Sequence, residues 1–298
     1  MRVGARMAML NRVEELRQAG LAKVREDQYD EAISLFDQAL ALVSNDEARE
    51  LITINKADAM IATERSGPEV QELPRILMRR RNLHHSFLAA YALMFKHRIE
   101  SELKRATFYG ELALGIAEEA EQPLWQIGAL NDLGIIYEID SKFAKAIECF
   151  EQALAMIERV SNQGDHQISY ASALQNLGAS RLQNGEIEEG LAAINQALPL
   201  ITMPTAIAEA HIDLCYGYLE AANLEQARSH GELGLQLAEE VRQTRNAHYL
   251  LGEVAYKLGD LEAAEYHFDQ LCRFYPQFQN LKSLLYALDL RAMVNLKL

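Results

Sequence analysis

Cysteine is scarce in this 298-residue chain: Cys149, Cys215 and Cys272 lie far apart, with no CxxC pair and no zinc-ligand spacing. Neither a disulfide framework nor a structural metal site is expected, and reduced thiols suit a cytoplasmic setting. Proline and glycine are few, at 6 and 16. That excludes collagen-like and disordered chains and argues against a turn-rich β architecture. Aromatics amount to 7% with a single Trp, yet 49% of residues are hydrophobic, ample for a core in one large or two medium domains. No stretch approaches the ~18 consecutive apolar residues of a transmembrane helix. The first ten residues likewise hold no apolar run of signal-peptide length.

Positive charge is also short. There are 29 Lys+Arg against 43 Asp+Glu, a formal net charge of −14. The deficit is uneven: residues 1–105 carry 17 basic and 16 acidic side chains, the remainder 12 and 27. So acidic a C-terminal two thirds repels phosphate backbones and anionic membranes, so neither nucleic acid nor membrane is an expected partner. Catalytic signatures are missing too: GxGxxG after a strand, GxxxxGK[ST], HExxH and GxSxG do not occur. A non-catalytic protein with no cofactor and no metal is the expectation.

What the chain does have is repetition. A small residue, another residue four on and a third three further recur as Ala32/Phe36/Ala39, Ala106/Gly110/Ala113, Ala146/Phe150/Ala153, Gly190/Ile194/Ala197, Ala227/Gly231/Gly234 and Ala264/Phe268/Leu271. The first members are 74, 40, 44, 37 and 37 apart, so the first gap spans two units and hides a degenerate repeat between residues 48 and 82. Twelve residues before five of these signals stand Gly20, Gly134, Gly178, Cys215 and Gly252, four of them preceded by Leu. Positions i, i+4, i+7 share one helix face, where small side chains let helices approach closely. Turn signals separate the two patterns: Asp27, Asp140-Ser141, Asn184-Gly185, Ala222-Asn223 and Gly259-Asp260. Each unit therefore reads as an antiparallel helix hairpin.

The clearest units run Leu130, Leu133-Gly134, Tyr137, Phe143, Ala146, Phe150, Ala153, and His248, Leu251-Gly252, Gly259, Ala264, Phe268, Pro276. They resemble tetratricopeptide repeats, with Leu16, Leu130, Leu174, His211 and His248 in place of the family's usual Trp. Units of 37–44 residues exceed the usual ~34 and look like the long-repeat variety of bacterial signalling-protein sensor arrays. The resemblance implies an all-α, right-handed superhelical solenoid of about seven hairpins, one continuous array over residues 10–298. The expected pairs are 10–44, 47–82, 83–120, 123–161, 167–202, 204–241 and 244–275. A terminal amphipathic helix follows over 278–297. The second pair is expected to be short or bent, because Gly67-Pro68 opens its second helix and Pro74 sits inside it.

The resemblance also implies that the first helix of each pair lines a concave groove. Carried over repeat by repeat, the groove residues are Tyr91 and Phe95; then Asn131, Asp132 and Glu138; then Gln175 and Asn176. Glu209, Asp213 and Tyr216 follow, and the last pair adds Tyr249, Glu253 and Tyr256. Asn and Gln can both donate to and accept from a peptide backbone, and Tyr offers apolar area with a polar tip. The positions at which chaperone-binding members clamp a terminal carboxylate with Lys and Arg are here mostly acidic or neutral. An acidic groove with aromatic walls suits a basic or amphipathic protein or peptide segment. The resemblance points to a sensory or regulatory module of a bacterial signalling system. The alternative is self-association, as a homodimer, through residues 278–298.

Two further clusters have plainer readings. His211 and His248 are 37 apart, as are His230 and His267. The first two are expected to replace a bulky core residue and the second two to sit half-exposed on second helices. Arg75, Arg79, Arg80, Arg81, Lys96, Arg98, Lys104 and Arg105 are expected to form a solvated face that pairs with the acidic repeats of the same or a neighbouring chain, the alternative being an anchor for an acidic peptide or a phosphate.

Overall fold

The computed structural model describes residues 2–160 and 167–273. Among them are fourteen α-helices and no strand. In chain order these are α1 Arg2–Arg25, α2 Tyr29–Leu42, α3 Asp46–Ala62, α4 Pro68–Arg79, α5 Leu83–Ile99, α6 Leu103–Glu119 and α7 Pro123–Ile139. There follow α8 Phe143–Val160, α9 Gln167–Gln183, α10 Ile187–Ala197, α11 Pro204–Glu220, α12 Leu224–Leu237, α13 Val241–Leu258 and α14 Leu261–Arg273, with a 3-10 turn at Leu198–Leu200 after α10. The helix expected over 278–297, and the self-association assigned to 278–298, lie outside the described residues.

The turns are short because one residue in each reverses the chain. All five expected turns hold a left-handed residue: Asp27, Ser141, Ala222, Gly185 and Gly259, with φ of 56°, 57°, 57°, 88° and 80°. Only the two glycines adopt that conformation without strain. Helix starts are fixed by side-chain caps where the sequence supplies them. The Glu47 amide donates to Asn45 Oδ1 at 2.8 Å before α3, and the His84 amide to Asn82 Oδ1 at 2.9 Å before α5. Pro68 opens α4 after an extended Gly67, a position where a missing N–H costs nothing. With Pro74 inside it, α4 stops after 12 residues where α3 and α5 have 17. The first helix reaches back to Arg2 rather than residue 10, since nothing in that stretch breaks it.

The chain forms two compact units, residues 1–140 and 141–298, divided between α7 and α8. In the first, α1 packs on α2, α3 on α4 and α5 on α6, and first helices also meet, α3 against α5. Phe36, Ile52, Leu73, Met94, Ile116 and Leu133 are fully or almost fully buried there. In the second unit α9 pairs with α10, α11 with α12 and α13 with α14, and α11 lies against α13. Its core holds Phe150, Ile157, Ile194, Leu214 and Phe268.

The small residues of the repeat do what their spacing requires. A Cβ on Gly20 would fall 2.5 Å from Phe36, and one on Gly252 would fall 2.5 Å from Phe268. The glycine of the first helix is thus the seat of the aromatic ring of the second, and each ring is completely buried.

Candidate functional site

In the first unit the expected groove residues come from α5 and α7. The single Trp, Trp125, lies stacked near two rings of α5, with centroids 5.1 Å from His84 and 4.9 Å from Phe87. Phe87 in turn tilts against Tyr91 at 5.6 Å. This row of rings fixes Tyr91, whose hydroxyl donates to the Asp132 carboxylate on α7. Burial raises the pKa of both groups, and the Asp132 charge pushes Tyr91 higher still. Phe95, one turn on, carries the Arg98 guanidinium 4.8 Å over its ring. Asn131 and Glu138 are half-buried on the same helix as Asp132.

Sequence reasoning missed Asp58 on α3. Its surface is open to water, but protein crowds its surroundings, and that loss of solvent pushes its pKa up to about 6. Its charge reaches Tyr91 and raises that phenol further. The signal was present: Asp58 precedes Phe95 by 37 residues, the interval from Asp46 at the start of α3 to Leu83 at the start of α5. Taking the second repeat as degenerate hid it.

In the second unit the expected residues divide. Glu209 is bound on two oxygens by Arg242, at 2.8 and 3.0 Å, and Gln243 Nε2 donates to it at 3.3 Å and to the Thr205 carbonyl at 2.8 Å. Glu209 thus ties α11 to the start of α13. Gln175 is only 7% exposed and lines a cavity of about 120 Å³ with Leu200, Ile201 and Met203. Asn176 is half-buried beside it.

Tyr216 on α11 and Tyr249 and Glu253 on α13 come together. Burial is the main cause raising the pKa of Glu253, and the nearby charge of Glu220 adds to it. Lys257 Nζ, 3.8 Å away, pairs with the Glu253 carboxylate, and Tyr249 hydrogen-bonds to it; both draw its pKa back down against burial. Glu220 and Glu253 together raise the Tyr216 phenol, after burial. The same Glu253 helps push the buried Cys215 thiol up to about 12. Asp213 is half-buried on α11, with its charge felt by Arg242. Tyr256 lies against the Phe268 cluster.

Three family models, each described as tetratricopeptide repeat, match residues 19–50, 111–202 and 218–277, together more than half of the chain. The chain is a tetratricopeptide-repeat (TPR) protein. The longest unmatched stretch, 51–110, begins in the repeat whose second helix carries Pro74. Solved structures agree on the fold. The apo quorum sensor NprR from B. thuringiensis is 16% identical with a TM-score of 0.75, over 96% of this chain and 82% of that one. NprR in complex with its cognate peptide NprX gives 0.67 at 16% identity, over 98% and 84%. The apo form of RapI gives 0.70 at 13%, over 92% and 79%. At such identities the likeness is one of fold: all-α, built of TPR-like hairpins as in superhelical solenoids. No curated protein matches the sequence.

Of the plainer readings, the basic face is paired in part, mostly with acids of its own repeats, while Arg80 reaches an acid beyond residue 105. Arg75 and Arg79 meet Glu72 at 3.2 and 2.7 Å, Arg80 meets Glu119, and Arg105 meets Glu102 at 2.9 Å. His248 is buried and His230 and His267 are half-buried, as expected, but His211 is also only half-buried. Unforeseen was that the histidines meet within each TPR hairpin. His211 Nδ1 lies 2.9 Å from His230 Nδ1, and His248 Nδ1 lies 3.0 Å from His267 Nδ1.

Proposed function

We propose that this TPR protein is a non-catalytic protein- or peptide-binding scaffold, a cytoplasmic sensory or regulatory module of a bacterial signalling system. In this reading its seven helix pairs act as one array, and its ligand is a basic or amphipathic segment. The observation that carries the reading is the Tyr216–Glu220–Tyr249–Glu253 cluster. Burial and the Glu220 charge make Glu253 costly to ionise beside two tyrosines, and its cationic neighbour, Lys257, is a half-exposed side chain at 3.8 Å that a ligand cation can displace. A ligand Lys or Arg placed there gains charge-assisted hydrogen bonds and cation–π contacts together. Tyr91, Asp132, Phe95 and Asp58 offer the same pairing of rings and acids in the first unit. The likeness to NprR, solved with its peptide NprX, supports a peptide in that role. Among the described residues no helix is long and apolar enough to cross a membrane.

A peptide-library selection on the full chain tests this. Binders should be enriched in Lys and Arg with an apolar anchor, and Trp125 fluorescence should report binding in the first unit. Glu138→Lys with Asp213→Lys should weaken the selected peptides tenfold or more, about 1.4 kcal/mol. Selection of acidic peptides, or unchanged affinity after the double reversal, would falsify the acidic-groove reading. Capture of the chain's own residues 278–298 would favour the self-association alternative.

A further inference from the structure

The turn between α5 and α6 gathers three metal-ligating side chains, spaced His97-x2-Glu100-x-Glu102. His97 lies in the last turn of α5, Glu100 follows as its C-cap, and Glu102 is the N-cap of α6. Between them Ser101 takes a left-handed φ of 58°. The Glu102 amide then donates back to the His97 carbonyl at 2.8 Å, which folds both carboxylates toward the imidazole. His97 Nδ1 stands 2.7 Å from Glu102 Oε2 and 3.4 Å from Glu100 Oε2. All three donor atoms lie within 4.8 Å of one another.

The histidine carries the argument beyond an acidic cluster. His97 is 7% exposed, and its ring stacks on Tyr109 at 5.4 Å and 6°, so its orientation is set by packing. Nδ1 is buried with no hydrogen bond of good geometry, and its close polar neighbours are the Glu102 and Glu100 carboxylates, with which it can pair when the ring is protonated. A buried nitrogen whose close polar neighbours are two carboxylates is in the position of a ligand atom.

We propose that His97, Glu100 and Glu102 bind a divalent first-row cation of the zinc type, with water completing its coordination. One imidazole nitrogen and two carboxylate oxygens suit such an ion better than calcium or magnesium, which take oxygen shells. Donors around zinc at about 2.0–2.2 Å stand about 3.3 Å apart. The present spread closes on that distance by rotation of Glu100 and Glu102, whose side chains are 45% and 43% exposed. Lys96, 2.5 Å from Glu100, and Arg105, 2.9 Å from Glu102, are the cations to be displaced. Such exposed pairs are weak. The carbonyl end of α5 adds favourable negative potential. Glu100 and Lys96 also line a cavity of about 250 Å³ with Ile61, Arg65 and Ile99, which gives the ion a way in. Once bound, the ion staples α5 to α6 and raises the melting temperature of the chain.

Calorimetric titration of the full chain with zinc chloride, and with cobalt(II) as a coloured stand-in, should show one saturable site. Glu100→Gln with Glu102→Gln alters two exposed side chains and should leave the helical circular dichroism unchanged. Loss of an outer-shell partner alone costs a metal site 10–100-fold, so loss of both carboxylates should weaken uptake by about 100-fold or more. His97→Gln should do the same, and the His97 ring 15N shifts should move on metal addition. The paired histidines of the second unit are the rival ligands, so His230→Gln with His267→Gln should keep the site. No saturable uptake by the wild type, uptake that survives Glu100→Gln/Glu102→Gln, or uptake lost in His230→Gln/His267→Gln overturns the proposal.

Discussion

Acid should loosen the second unit through its paired histidines, and His248 sets the scale. It is 7% exposed, with Nδ1 3.0 Å from that of His267. A neutral pair can share one proton in that contact, but a proton added to the accepting Nδ1 sets two N–H groups against each other and places a positive charge in a buried site. Burial first, and then His267, pushes the His248 pKa down to about 4. An unfolded histidine titrates near about 6.5. The displacement of about 2.5, at about 1.36 kcal/mol for each unit, corresponds to about 3 kcal/mol. Its sign follows from proton uptake. Between about pH 6.5 and about pH 4 the unfolded chain binds a proton that the folded one refuses. The stability is therefore complete above the unfolded pKa, falls as pH falls, and is gone below the folded pKa. His211 and His230, with Nδ1 atoms 2.9 Å apart and Tyr218 stacked on His230, are lowered by burial and add in the same direction.

Other groups act on the outcome. Tyr266 meets the His248 ring edge-on, and Asp260 draws the His267 pKa upward against its burial. Glu253 and Asp58, with raised pKa values, gain relative stability as pH falls and oppose the histidines. A matched variant isolates the effect. His248→Leu installs the residue that Leu16, Leu130 and Leu174 supply in other repeats. Urea unfolding followed by far-ultraviolet circular dichroism, from about pH 7 to about pH 4, should show wild type losing about 3 kcal/mol more than His248→Leu. Equal losses in the two proteins would refute the reasoning.

Two further outcomes concern stability alone. Gly252→Ala puts a Cβ 2.5 Å from the fully buried Phe268 ring. Overpacking of about 1–3 kcal/mol should outweigh a helix-propensity gain of up to ~1 kcal/mol, and a melting temperature at or above wild type would contradict it. Ala222 holds φ of 57° at the α11–α12 turn, so Ala222→Gly should stabilise by about 0.5–1 kcal/mol in urea unfolding, and a loss would count against strain at that turn.

The sequence alone determined the helix pairs. A repeat of small residues twelve apart, punctuated by turn residues, leaves two amphipathic stretches little choice but a hairpin, and Gly20 under Phe36 and Gly252 under Phe268 are that pattern made solid. The resemblance of those hairpins to tetratricopeptide repeats also pointed to first-helix faces carrying Tyr216, Glu253 and Asp132. What the sequence could not contain were meetings across helices. The Tyr91–Asp132 hydrogen bond, the grip of Arg242 on Glu209 and the two histidine contacts join residues 19 to 41 positions apart. Their distances depend on how one helix is rotated against the next. Periodicity gives a residue's face to within a turn, whereas a hydrogen bond needs a few tenths of an ångström. The pKa shifts of Glu253, Asp58 and His248 follow from the same packing, since solvent is removed by neighbours in space rather than in sequence.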